Sequence, residues 1–184
     1  MEPSQLLIRE AVPEDLDAIV EVHAQARAAY YLEGGRSGEE IDPPGSADKR
    51  REAWARFLRS EARVLCAVWA EQVVGIAFMA PVRPAAADDA DAAAAETAAA
   101  GELYALHVLR SHWGRGVGSR LHAAYVEYLR SSSMSVGELE VWDRNGRARS
   151  FYGRRGWELD GTQRVDADGV YLRMRLDVAA LPVA

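Results

Sequence analysis

At 184 residues the chain fits one folded domain, and its 49% hydrophobic and 27% charged side chains place it among soluble globular proteins, away from disordered and membrane classes. Its 28 acidic against 22 basic side chains give a net charge of -6, which disfavours a nucleic-acid backbone as partner but leaves room for a local basic cluster around one phosphate-bearing ligand. A single cysteine, Cys66, excludes an internal disulfide framework, and the absence of a leader pattern at Met1 to Glu10 or of a long apolar run predicts a cytoplasmic protein without membrane contact.

Leu6 to Ile8 reads as a strand, and Pro13, Glu14 and Asp15 read as the start of a helix carrying Leu16, Ile19, Val20 and His23 at helical spacing. From Tyr30 to Ser46 glycines, prolines and acids interrupt the pattern and predict a mobile acidic loop. A second helix follows from about Ala47 to Arg59, with Ala53, Trp54, Phe57 and Leu58 on one face. Val64 to Ala70 and Val73 to Ala80 are β-rich runs across a tight connection at Glu71 and Gln72, the pattern of an antiparallel hairpin. Residues 84–100 are mostly alanine, with Asp88, Asp89, Asp91 and Glu96 and no large apolar side chains, which predicts a loop insertion within one domain spanning 1–184.

Glu102 to Leu109 is again strand-like, and Gly114 to Gly118 opens a helix bearing Leu121, Tyr125 and Leu129. Gly137 to Trp142 makes a further strand, Asn145 to Arg154 a short helix, and Trp157 to Gln163 with Val170 to Leu176 the closing strand pair. Hairpins combined with helical crossovers define an α/β chain: a mixed sheet of about seven strands with helices on both faces.

The most informative stretch is Trp113-Gly114-Arg115-Gly116-Val117-Gly118-Ser119, because alternate glycines before a helix let successive backbone amides approach an anion. A nucleotide-triphosphatase loop would need Lys followed by Ser or Thr after the last glycine, and Ser119-Arg120 stands there instead. A dinucleotide fingerprint needs Gly-x-Gly-x-x-Gly in the opening βαβ unit, whereas this Gly-x-Gly-x-Gly lies past mid-chain. His107, His112 and His122 with Cys66 match no zinc spacing, so no metal is expected.

With Ser119 and Leu121, the glycine loop resembles the pyrophosphate loop of the GNAT acetyltransferase superfamily. The later Asn145, Ala148, Phe151, Tyr152, Gly156 and Trp157 resemble its second motif, and the opening Ile8-Arg9 strand, the Val73-Val74-Gly75 hairpin and the terminal strand pair agree in order. Trp113 departs from the family's Gln or Arg at that position. The resemblance implies acetyl-CoA as cosubstrate and transfer of its acetyl group to a primary amine, of a small molecule in the leading reading. A protein N-terminus or lysine is the alternative acceptor, and a non-catalytic acyl-CoA sensor the reading from another class.

By the same resemblance, the backbone at Leu106 and Val108, together with Asn145, would hold the pantetheine arm. Gly114, Arg115, Gly116, Gly118 and Ser119 would hold the pyrophosphate. Tyr152 would protonate the leaving thiolate, a role a phenol with pKa near 10 can fill. Glu102 resembles the base of histone-type members and Glu140 that of ribosomal-protein alanine acetyltransferases; a water chain replaces both in many members. Acceptor choice falls to the segment after the first helix, where Tyr30, Tyr31 and Glu33 would form an aromatic, negative mouth for a cationic amine. Homodimerisation is common in the family.

Overall fold

The computed structural model describes residues 6–82 and 99–182. The alanine- and aspartate-rich stretch predicted as an insertion lies almost wholly outside the described residues. A seven-stranded sheet in the order β1-β2-β3-β4-β5-β7-β6 organises the molecule. Its strands are β1 (Leu7–Glu10), β2 (Arg63–Trp69), β3 (Gln72–Pro81), β4 (Ala100–Val108), β5 (Val136–Trp142), β6 (Glu158–Asp166) and β7 (Gly169–Asp177). Every neighbouring pair is antiparallel except β4 and β5, which run parallel.

Helices α1 (Leu16–Glu33), α2 (Gly38–Ile41) and α3 (Ser46–Phe57) belong to one side of the sheet, α4 (Val117–Ser131) and α5 (Gly146–Gly153) to the other. Strand alternation divides the apolar residues accordingly. Leu103, Leu139, Val141 and Met174 pack with Leu121, Tyr125 and Leu129 of α4, while Ile76 and Phe78 pack with Ile19 and Val22 of α1 and Trp54 of α3. Cys66 is fully buried in this second core, where burial pushes its thiol up to about 12. The β2–β3 hairpin turns through Ala70 and Glu71, both at positive φ, as a two-residue turn of the primed type requires.

The predicted acidic loop is more ordered than its composition suggests. Helix α1 continues through Tyr30 and Tyr31 to Glu33 because Tyr31 closes a small third cluster with Ile41 and Trp142. Ser37 then caps α2, its hydroxyl accepting from the Glu40 amide at 3.4 Å while the Glu40 carboxylate accepts from the Ser37 amide at 2.7 Å. At the other end of the segment, the Arg27 and Arg36 guanidiniums both reach Asp168 in the β6–β7 turn, at 3.1 and 2.7 Å, and Tyr31 shares a hydrogen bond with the Tyr171 hydroxyl. These long-range contacts link residues more than a hundred positions apart, beyond the reach of any local pattern.

The parallel pair β4–β5 meets only from Ala100 to Glu102 against Val136 to Glu138. Beneath that junction lies the facing pair Gly101 and Gly137, where a Cβ would come within 2.5 Å of Leu129 and 2.9 Å of the Tyr125 hydroxyl respectively. Glycine therefore lets α4 press directly on the junction, and the Tyr125 hydroxyl donates to the Gly101 carbonyl at 2.6 Å. Beyond Glu102 and Glu138 the two strands part, leaving a slot between them on the side toward which α4 presents its N-terminus.

Candidate functional site

The slot opens into a cleft of about 430 Å³ that gathers the glycine loop, the end of β4, α5 and the inner face of α1. Its floor is backbone. Leu109 donates to the Val74 carbonyl at 2.9 Å, so in the antiparallel register of β3 and β4 the bonded pairs fall at Leu109 and His107. The N–H and C=O groups of Leu106 and Val108 accordingly point away from β3, into the slot. The Val108 carbonyl already accepts from the Trp113 indole N–H at 2.9 Å, and the Arg147 guanidinium lies 4.0 Å over the Trp113 ring. Trp113, the departure from the family pattern, is thus a packed side chain that closes the loop onto the end of β4.

The loop itself turns through Gly114 at φ 74° and Gly116 at φ 83°, conformations that disfavour a side chain even though a Cβ at either position would meet nothing within 4 Å. The first amide with an internal backbone partner is that of Arg120, bonded to the Gly116 carbonyl at 3.0 Å. Among the described residues, the amides from Gly114 to Ser119 have no acceptor, and those from Val117 onward stand at the positive end of α4. Around the opening stand Arg147, Arg154 and Arg155. Arg155 holds the Ser119 hydroxyl at 2.7 Å and lies 3.6 Å over the Phe151 ring. An open cleft, unsatisfied amides and cations fit a diphosphate at one end and an extended, hydrogen-bonding arm along β4 at the other.

Two further expected residues enter this cleft from α5. Asn145 is the N-cap, accepting from the Ala148 amide at 3.0 Å, which leaves its side-chain N–H groups available to the cleft. Tyr152 is 8% exposed, packed between the edges of Phe151 and Trp157, and its hydroxyl has no hydrogen-bond partner among the described residues. Burial pushes its phenol above the usual range, so it holds its proton at neutral pH.

Glu102 and Glu140 lie on the opposite face of the sheet, the α1 side, around a smaller hollow shared with Glu138 and Arg173. Glu102 is half-buried and hydrogen-bonded by Tyr104; burial first, then the charges of Glu140 and Glu138, raise its carboxyl above the usual range against the opposing effects of Tyr104 and Arg173. Glu140 is exposed and takes the Arg164 guanidinium at 2.8 Å. Glu138 is buried, bonded to Arg173 and 3.5 Å from Arg175.

Of the residues expected at the acceptor mouth, Tyr30 lines the cleft, stacked 6.3 Å from His107. Tyr31 is 1% exposed in the third cluster and faces away from the cleft. Glu33 is exposed and 3.3 Å from Arg110, while Asp42 is bonded to Ser46 and Arg50. Glu33, Glu40 and Asp42 of this segment are thereby engaged with other residues.

Sequence reasoning passed over Tyr104, Glu138 and His107 as site residues. His107 lines the cleft and lies 4.9 Å from His23, whose Nδ1 accepts from the Trp54 indole at 3.1 Å. Burial, reinforced by Arg27, pushes His107 down to about 4. Burial, then His107, Arg50 and Arg27, pushes His23 to about 2, so both rings are neutral. Only the alternation of His107 with Leu106 and Val108 could have signalled its place.

The family model described as "Acetyltransferase (GNAT) family" matches residues 21–157. Among solved structures, the PaiA N-acetyltransferase of Thermoplasma acidophilum, in complex with coenzyme A, aligns at a TM-score of 0.75 and 18% identity over 94% of this chain and 99% of that one. The ribosomal-protein-alanine N-acetyltransferase of Brucella melitensis aligns at 0.67 and 23% identity, covering 94% and 99%. The yncA structure from Salmonella typhimurium, with acetyl-CoA, aligns at 0.66 and 17% identity, covering 98% of each. At these identities the likeness is one of fold. No curated protein matches in sequence. Among the described residues no helix is long and apolar enough to cross a membrane.

Proposed function

The chain belongs to the GNAT acetyltransferase family, and from that premise we propose that it transfers an acetyl group from acetyl-CoA to the primary amine of a small molecule. The row of unsatisfied amides from Gly114 to Ser119, opening beside the β4–β5 slot, carries the cofactor half of this reading. Those amides with Arg155 would hold the diphosphate, and Leu106, Val108 and Asn145 the pantetheine arm. When bound, acetyl-CoA supplies the acetyl group as a thioester.

The chain's own residues handle two protons. Glu102 takes one from the attacking nitrogen, and Tyr152 gives one from its hydroxyl to the sulfur as the carbon–sulfur bond is replaced by the carbon–nitrogen bond. Glu102 suits the first task better than Glu140, because its half-buried carboxylate has a raised pKa, whereas the Glu140 carboxylate is engaged by the Arg164 guanidinium. Backbone N–H groups facing the slot at Leu106 can polarise the thioester carbonyl.

A small-molecule acceptor is supported by the roof over the acceptor side, where Arg27, Arg36 and Tyr31 tie α1 and its following turn to the β6–β7 hairpin. A protein chain would need an open groove there. Thermal unfolding with and without acetyl-CoA tests the cofactor assignment. At 100 times Kd a ligand specific for the folded state adds about 2.7 kcal/mol, or roughly 5–10 °C for a domain of this size. No shift, or an equal one with ATP, counts against it.

A further inference from the structure

A second cavity, of about 470 Å³, lies on the acceptor side between α1, α3 and the face of β3 and β4, within the size range of small-molecule sites. One wall is a run of rings. Phe57 stacks on Phe78 with centroids 4.4 Å apart, Phe78 stacks on Tyr104 at 5.0 Å, and Trp54 meets Phe78 edge-on at 5.8 Å. The run ends at Tyr104, which is 49% exposed at a bulge where β4 carries one extra residue against β3.

The charged groups lining this cavity are Arg27, Lys49 and Arg50, with no carboxylate among its walls. On a chain of net charge -6 that is a local inversion. Arg27 and Arg50 are held by Asp168 and Asp42, which lie outside the lining, while Lys49 is exposed and has no ion pair among the described residues. The cavity also adjoins both halves of the proposed chemistry. Tyr104 hydrogen-bonds Glu102 at one end, and His23 in its wall touches His107 in the wall of the cofactor cleft.

Resting on the acetyltransferase reading, we propose that this cavity selects the acceptor, and that the acceptor is an arylmethyl primary amine with an acidic group at the far side of its ring. The ring stacks on the exposed Tyr104 at the end of the ring run, the amine reaches Glu102, and the acid pairs with Lys49 and Arg50. Arg, Lys and stacked rings are the usual partners of aromatic anions. This preference runs opposite to the cationic acceptor that the acids around Tyr30 and Tyr31 suggest from sequence, because Glu33, Glu40 and Asp42 are bonded elsewhere and Glu39 does not line the cavity.

The test compares three probes of one shape and different charge: 4-(aminomethyl)benzoate, benzylamine and 4-(aminomethyl)benzylamine. CoA release at saturating acetyl-CoA should give a kcat/KM for the benzoate at least 10-fold above benzylamine, with the diamine slowest. Lys49→Glu, an exposed change on α3, should invert the order of benzoate and diamine. Calorimetry on the CoA-loaded protein should show the benzoate binding, weakened at least 10-fold by Tyr104→Ala.

A preference for the diamine, or equal rates for all three, overturns the proposal. So does benzoate binding that neither variant alters. If no amine releases CoA and acetyl-CoA does not stabilise the protein, yet the benzoate binds in a Lys49-dependent manner, the cavity assignment stands and the transferase reading fails.

Discussion

On the α4–α5 face of the sheet, the groups that would meet the cofactor are mostly main-chain amides and carbonyls, placed by glycines and by the parting of two strands. On the α1–α3 face, the groups that would meet the acceptor are side chains drawn from α1, α3, β3, β4 and β5. Main-chain recognition depends on a short local motif and tolerates change in the side chains around it, as Trp113 illustrates by docking on Val108 where Arg or Gln is usual. Side-chain recognition depends on tertiary assembly. A family can therefore keep one cosubstrate while its acceptors diversify.

The largest effect that would sharpen this contrast is expected at Gly116. Replacement by Asp puts a negative side chain at φ 83° into the proposed anion site, so acetyl-CoA affinity should fall by at least about 100-fold in calorimetry. The fold should lose only about 1 kcal/mol, since the new Cβ meets no neighbour. Normal affinity would remove the loop from the cofactor site.

Next come the two proposed proton carriers, one on each face. Tyr152→Phe should lower kcat by about 100-fold or more with acetyl-CoA affinity intact. Glu102→Gln should lower kcat by roughly 100-fold and remove the acidic limb of its pH profile, while Glu140→Gln should cost less than about threefold. A reversed order of the two glutamates would move the base to the β5–β7 side.

The pH dependence of stability draws on both faces, since burial holds His23 and His107 on the α1 side and His122 on α4 below the usual imidazole range. His23 and His107 have folded pKa values below the unfolded 6.5, so the unfolded chain binds more protons and stability falls as pH drops below 6.5 toward their folded values near 2 and 4. Between pH 7 and 5 each contributes a loss of roughly 2 kcal/mol. Chemical denaturation at the two pH values should show a steeper loss in the wild type than in His107→Phe. The smallest effect is expected for Trp113→Arg, which restores the usual residue and should change acetyl-CoA affinity by less than about threefold.

The same contrast explains what could be read in the sequence. The strands, their alternation and the helices α1, α3, α4 and α5 were legible from apolar periodicity, and the glycine loop from its spacing. The order of the segment after Tyr30 was not, because Tyr31 gains its burial from Trp142 and Tyr171 at the far end of the chain. Glu138 reads as one of two alternating acids, yet it is buried by pairing beside Glu102 in a parallel register that only the folded sheet defines. The cationic lining around Lys49 is equally hidden, since Arg27 reaches it from α1 and only the folded chain brings it beside Lys49 and Arg50.

The parting of β4 and β5 also has a mechanical meaning. The sheet is two half-sheets sewn together by three residue pairs, Ala100 to Glu102 against Val136 to Glu138, with Tyr125 as a stitch beneath. An arm bonded along Leu106 and Val108 would act as a missing strand and complete the seam. Hydrogen exchange should then find the slot-facing amides of β4 among the fastest in the sheet, and the slowest to exchange once that seam is closed.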